Sequence, residues 1–194
     1  MSAPLTSAAC LQLSSVYNLL SQLWSSEVTL EQLQTLNEPD LRGAIEHLGG
    51  SVPSDVSAET VETLAVDYCQ LLIGPKNHLP PVESIWAGGQ FQTKTASSVN
   101  QYYGLLPGFK PSATIPDHIG AQLEFMAHLF QNAAMKDNPE VYTETADRFF
   151  EKHLGWTGDF LQQVHEKSTT DFYRGLARIT QFFLNENAKD DQRQ

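Results

Sequence analysis

Apolar residues recur along this chain at intervals of three and four, the spacing that gathers side chains on one face of an α-helix. Leu13, Val16, Tyr17, Leu20, Leu23 and Trp24 form the first such stripe, with Thr6 or Ser7 as its N-cap. Thr29 and Gln32 have the spacing of a capping box, which predicts a short second helix. Pro39 starts a third, carrying Leu41, Ile45 and Leu48, and Gly49-Gly50 ends it. Ser57 caps the next, whose stripe runs through Val61, Leu64, Ala65, Tyr68, Leu71 and Leu72. Gly74-Pro75 stops it, glycine accepting a left-handed terminal conformation and proline breaking the ladder.

From Gly74 to about Gln92 the chain reads GPKNHLPPVESIWAGGQFQ, rich in Gly and Pro yet carrying Leu79, Ile85, Trp86 and Phe91. Bulky apolar side chains distinguish it from a solvated linker and predict an ordered loop. A short helix around Val99 to Tyr103 follows, then a second Gly/Pro stretch, LLPGFKPSAT. Pro116 suits the first turn of a helix with Ile119, Leu123, Met126, Ala127 and Phe130 on its buried face, which puts Asp117 and His118 in that turn. Asn138-Pro139 begins the next helix and Gly155 closes it; Gly158 to Val164 supplies a short one. The last carries Phe172, Tyr173, Leu176, Ile179, Thr180 and Phe183. No period-two run and no repeat interrupts the series. The pattern predicts an all-α protein, one domain over residues 1–194 with room for two lobes. It is a bundle of roughly nine helices with two long ordered loops and a frayed tail over 185–194.

No apolar run approaches the ~18 residues of a membrane span, and Met1 to Thr6 lacks a basic region ahead of a short apolar segment, so a cytoplasmic protein is expected. Cys10 and Cys69 lie on apolar helical stretches and read as buried reduced thiols. The balance of 12 Lys+Arg against 23 Asp+Glu, a formal net charge of −11, disfavours nucleic acid and favours a cationic partner.

Candidate chemistry is sparse. Asp117-His118 offers a carboxylate beside an imidazole, but neighbours on a helix do not face each other, and a helix N-terminus lowers the pKa of His118. A structural or ligand-contacting role is therefore expected, not catalysis. Glu124 and His128 share a helix face, with no further ligand at a metal-binding spacing. His47, His78, His153 and His165 read as surface or cap residues, and Phe149, Phe150, Phe182 and Phe183 as core. No phosphate-cradling loop, nucleophile elbow or CxxC occurs, so no cofactor is expected. The segment Leu79 to Trp86 remains. Its aromatic and carboxylate suit an extended peptide with basic and apolar side chains, although Trp86 could equally plug the core behind a stiff Pro80-Pro81.

Three segments resemble the TorD/DmsD family of chaperones that mature molybdenum-containing reductases. They are Tyr68-x-x-Leu71-Leu72-Ile73-Gly74-Pro75, Pro80-Pro81-x-Glu83-Ser84-Ile85-Trp86, and Pro116-Asp117-His118-Ile119-Gly120 with Leu123-Glu124-Phe125-Met126. His153-Leu154-Gly155-Trp156, Phe160 and Phe172-Tyr173-x-x-Leu176-Ala177 extend the likeness over roughly Tyr17 to Leu184. The chain departs from some members in having Val82 where a larger aromatic often stands and Trp86 where tyrosine is common.

The resemblance implies a cytoplasmic, non-enzymatic chaperone. It would bind the twin-arginine signal peptide, or the apo-form, of a molybdopterin-dependent oxidoreductase until cofactor insertion permits export. It places the peptide groove at Leu71, Leu72, Pro80, Pro81, Glu83, Ser84, Trp86, Asp117 and His118. Glu83, Asp117 and Glu124 would meet the arginines, and Leu71, Leu72 and Trp86 the apolar stretch. A monomer is expected, with a domain-swapped dimer through a long loop as the alternative. Competing readings are a nucleotide- or molybdopterin-binding regulator on the same fold, a helical enzyme using His118 with Asp117 or Glu83, and a structural subunit.

Overall fold

The computed structural model describes residues 5–91 and 94–191. Among these residues the fold is all-α, with ten α-helices and one π-helical turn, and the sole strand-like feature is an isolated antiparallel bridge between Val82 and His118. Two compact units are interleaved in sequence. One holds α1 (Ser7–Ser25) and Val82–Trp156; the other holds Ser26–Pro81 and Thr157–Asn187.

In the first unit, α1 is capped by Thr6, whose hydroxyl accepts the Ala9 amide at 3.2 Å. It packs on α7 (Ile119–Met135), and α7 packs in turn on α8 (Pro139–His153). Tyr17 of α1 stacks on Phe130 of α7, their planes 10° apart. The helices approach closely at Gly120, whose carbonyl accepts the Ser21 hydroxyl at 2.9 Å. Val16, placed on the buried stripe by its spacing, lies at the edge and is 37% exposed. The remaining helices of the unit are α5 (Glu83–Gly88) and α6 (Lys94–Tyr103), the latter longer than predicted. The first long loop is thus interrupted: Glu83 to Trp86 are helical. Gln92 lies outside the described residues. Helix α7 starts at Ile119, not Pro116, because Pro116 and Asp117 form a turn, the His118 amide donating to Ile115 O at 3.2 Å, and His118 is extended and pairs with Val82.

In the second unit, α2 (Leu30–Leu36) has the predicted capping box, Thr29 and Gln32 each accepting the other's amide at 3.2 and 2.9 Å. Then come α3 (Pro39–His47), begun by Pro39 and followed by Gly49 at φ +82°, and α4 (Ala58–Tyr68), capped by Ser57. Helix α4 passes into a π-helical turn, Cys69–Ile73, in which the Gly74 amide donates to Cys69 O at 2.7 Å. Gly74 itself has φ −51°, not the left-handed value expected; the extended ψ of 161° is what a residue before proline adopts. Cys10 is buried, but Cys69 is half-buried and its thiol donates to Glu27. Helix α9 (Thr157–Lys167) exceeds its predicted span, and α10 (Asp171–Asp191) stays helical through the polar run from Asn185; 192–194 lie outside the described residues. Phe182, expected in the core, is exposed.

Asp67 of α4 fixes the start of α10. Its buried carboxylate accepts the amides of Thr169 and Thr170, at 3.1 and 2.9 Å, and the Thr170 hydroxyl at 2.6 Å. Five residues on, Gly175 lies against the backbone after Gly50, where an added Cβ would meet Ser51 N at 2.5 Å. Backbone cannot rotate away as a side chain can. Gly175→Ala is therefore expected to cost about 2 kcal/mol in urea unfolding. Gly158→Ala in α9, where a Cβ meets nothing within 4 Å, should be neutral or stabilise by up to about 1 kcal/mol.

Candidate functional site

The two loop segments singled out from the sequence meet in the first unit. Val82, the N-cap of α5, has no side-chain acceptor for the helix's first amides. Asp117 supplies what Val82 lacks. Its carbonyl accepts the Glu83 amide at 2.9 Å and its carboxylate Oδ2 accepts the Ser84 amide at 2.9 Å. An acceptor 33 residues away in sequence thus caps α5, and Asp117 lies before α7, not in its first turn as the sequence suggested. His118 caps α7 instead, its Nδ1 accepting the Gly120 amide at 3.0 Å, which requires the ring proton on Nε2. Burial pushes its pKa down to about 4, partly opposed by Asp117. The lowering was expected, but desolvation is its main cause.

Glu83 opens a second set of contacts. Gln122 Nε2 donates to Glu83 Oε2 at 2.5 Å, and His153 Nδ1 lies 3.1 Å from both Glu83 oxygens. A carboxylate only accepts, so the ring proton is on Nδ1 and Nε2 faces the Ser98 hydroxyl at 3.1 Å. On the other side the Trp156 indole N–H donates to Gln122 Oε1 at 3.1 Å. Glu83, Gln122 and His153 are 5%, 0% and 2% exposed. His153 is thus interior, not the surface or cap residue its sequence position suggested, and its ring packs against Tyr102 and Phe149. Tyr103 donates to Pro116 O at 2.7 Å, and burial first, then Asp117, Glu124 and Glu83, pushes its phenol far up.

Ser98, His153 and Glu83 stand in the order nucleophile, base, acid of hydrolytic triads. Ser98, however, lies mid-helix in α6 with its own amide committed to the helical ladder, and the imidazole is packed among rings. The arrangement is a tie joining α5, α6, α7 and α8. Among the described residues no group of three or more His, Cys, Asp and Glu could hold a metal ion.

The expected peptide contacts thus divide by what their side chains already do. Glu83 and Asp117 are buried, Glu83 bonded through both oxygens and Asp117 through Oδ2, while Asp117 Oδ1 and the Ser84 hydroxyl beside it have no hydrogen-bond partner among the described residues. Glu124 is half-buried and holds the second loop, accepting the Ser112 amide and hydroxyl at 2.8 Å each. Trp86 is half-buried and lies 6.5 Å from Trp156, ring centre to centre. In the second unit Leu71, Leu72 and Pro81 are buried and Pro80 half-buried, and Leu71 O accepts the Leu79 amide at 2.6 Å. Gln122 went unassigned from sequence and His153 was placed at the surface or a cap, although each interrupts an apolar stripe. Gln122 falls between Ile119 and Met126, and His153 follows Ala146 and Phe149.

Two variants test these assignments. Unfolded chain takes up the His118 proton first, so the stability held by the neutral ring is complete above pH 6.5 and drains away as pH falls toward about 4. His118→Asn keeps a capping acceptor, an amide oxygen in place of Nδ1, without the titration. Its stability relative to the parent in urea unfolding should improve by about 2 kcal/mol between pH 7.5 and pH 5. His153→Ala leaves Glu83 buried without its ring partner and is expected to lose about 3 kcal/mol at pH 7.5.

The model of a family described as nitrate reductase delta subunit matches residues 31–162. The chain is 27% identical to the chaperone protein TorD of Shewanella loihica, over 88% of each sequence. It is 26% identical to TorD of Shewanella pealeana, over 91% of this chain and 88% of that one. To the chaperone protein YcdY of Escherichia coli it is 31% identical, over 60% and 59%. The crystal structure of a protein described as a redox enzyme maturation protein, from Archaeoglobus fulgidus, shares the fold with a TM-score of 0.53. It is 22% identical, covering 89% of this chain and 93% of that one. With a family model matching well over half of its length and TorD proteins matching most of it, the chain belongs to the nitrate reductase delta-subunit family, among the TorD-like chaperones.

Proposed function

We propose that this chaperone acts in the cytoplasm on a molybdopterin-dependent oxidoreductase, binding its twin-arginine signal peptide, its apo-form, or both, until the cofactor is in place. The observation that carries the reading is the Asp117 clasp, since it bonds the two segments that resemble a peptide-binding groove, Pro80 to Trp86 and Pro116 to His118, to each other through Val82, Glu83 and Ser84. Trp86, His118 and Glu124 keep partly accessible side chains on it, and Glu83, Ser84 and Asp117 act by holding them. In the second unit Pro80 keeps a partly accessible side chain beside the buried Pro81, and Leu71 and Leu72 are buried. A net charge of −11 favours approach of a peptide bearing two arginines.

Calorimetric titration of the full chain with a synthetic twin-arginine leader, its two-lysine version and a scrambled peptide tests this. Binding at about micromolar Kd, near 8 kcal/mol, selective for the leader is expected. Equal or absent heats for all three peptides would exclude leader recognition.

A further inference from the structure

Trp86 and Trp156 are both tied to Glu83. Trp86 follows it by three residues on α5, and Trp156 reaches it through Gln122. The two indoles lie 6.5 Å apart with planes tilted by 31°, and both are half-buried, whereas Trp24, the third tryptophan, is fully buried. The groups behind them are buried and hydrogen-bonded: Glu83 to Gln122 and His153, and His153 to Ser98. The Glu83 carboxylate is committed to Gln122 and His153, so a cation reaching it would have to break those bonds, whereas the two half-buried indoles keep part of their surface exposed. Guanidinium is flat, weakly hydrated and stacks on aromatic faces, with tryptophan its best partner, whereas ammonium is a compact, strongly hydrated point charge.

From this geometry we infer that Trp156, with Trp86, stacks on a guanidinium of the leader, and that Gln122 and Glu83 are positioning residues that fix the Trp156 ring. The inference rests on the leader-binding reading above and names the contact that separates arginine from lysine. The sequence assigned that contact to Glu83, Asp117 and Glu124; here it falls on a residue outside both loop segments.

The test titrates the parent chain, Trp156→Leu, Trp156→Phe and Gln122→Met with the twin-arginine leader and its two-lysine version, after checking each variant's fold by circular dichroism. Trp156→Leu should weaken the arginine leader about tenfold and bring the two peptides within about threefold of each other. Trp156→Phe, which keeps a ring face, should stay within about threefold of the parent. Gln122→Met should weaken the arginine leader and leave the lysine version unchanged, a split that general destabilisation does not produce. In the unmodified protein, NMR should show nuclear Overhauser contacts from an arginine side chain of the leader to the Trp156 ring, which decides the matter if Trp156→Leu does not fold.

A folded Trp156→Leu that keeps parental affinity and arginine preference overturns the inference, as does a bound leader whose arginines show no contact to Trp156. In both cases leader binding itself stands. A parent chain that binds neither peptide removes the inference and the leader-binding reading together.

Discussion

Short helices begin badly in proteins, because their first amides have no partner within the helix, and a six-residue helix has few other bonds to offset the loss. Helix α5 meets this constraint with a valine at its N-cap and takes its acceptors from Asp117, which contributes both its carbonyl and its carboxylate. The same contact makes the chain extended at His118, so α7 starts at Ile119 and Gly120 comes to rest on Ser21. Glu83, the first residue of the helix so capped, then turns inward to His153 and Gln122. One clasp therefore sets the start of two helices and the aim of the buried carboxylate beside it.

Beside the clasp Glu83, Gln122 and His153 satisfy one another, whereas within it Asp117 Oδ1 and the Ser84 hydroxyl have no partner among the described residues. A buried carboxylate is stable only when paired and hydrogen-bonded, and Glu83 has an imidazole on both oxygens and an amide on one. In the second unit Asp67 does comparable work on α10, receiving two amides and a hydroxyl. Acidic residues are numerous in this chain, but these three, Glu83, Asp117 and Asp67, serve architecture.

Much of the fold was legible in the sequence because helix signals are local. The Thr29–Gln32 capping box, Ser57, Pro39 and Pro139 each mark a helix start that the structure has. What misled was non-local. Pro116 reads as a helix start until Val82 pairs with His118, and Pro116-Asp117 become a turn ahead of that bridge. Glu83 to Trp86 reads as loop because its cap lies far along the chain. The candidate site was half legible: the two motifs could be named, but spacing does not tell whether a carboxylate faces a ligand or an imidazole. Gln122 and His153 left a fainter trace, polar residues at apolar phases of α7 and α8, and that signal points to a buried network.

The dependence of α5 on Asp117 also bears on the order in which the chain can fold. A helix this short has negligible stability alone, so it appears only once α7 and the segment before it have docked, late and together with them. The tryptophan it carries is then aimed only in a completed unit. Half-made copies, lacking the helix, do not yet hold Trp86 in the place it has in the finished unit.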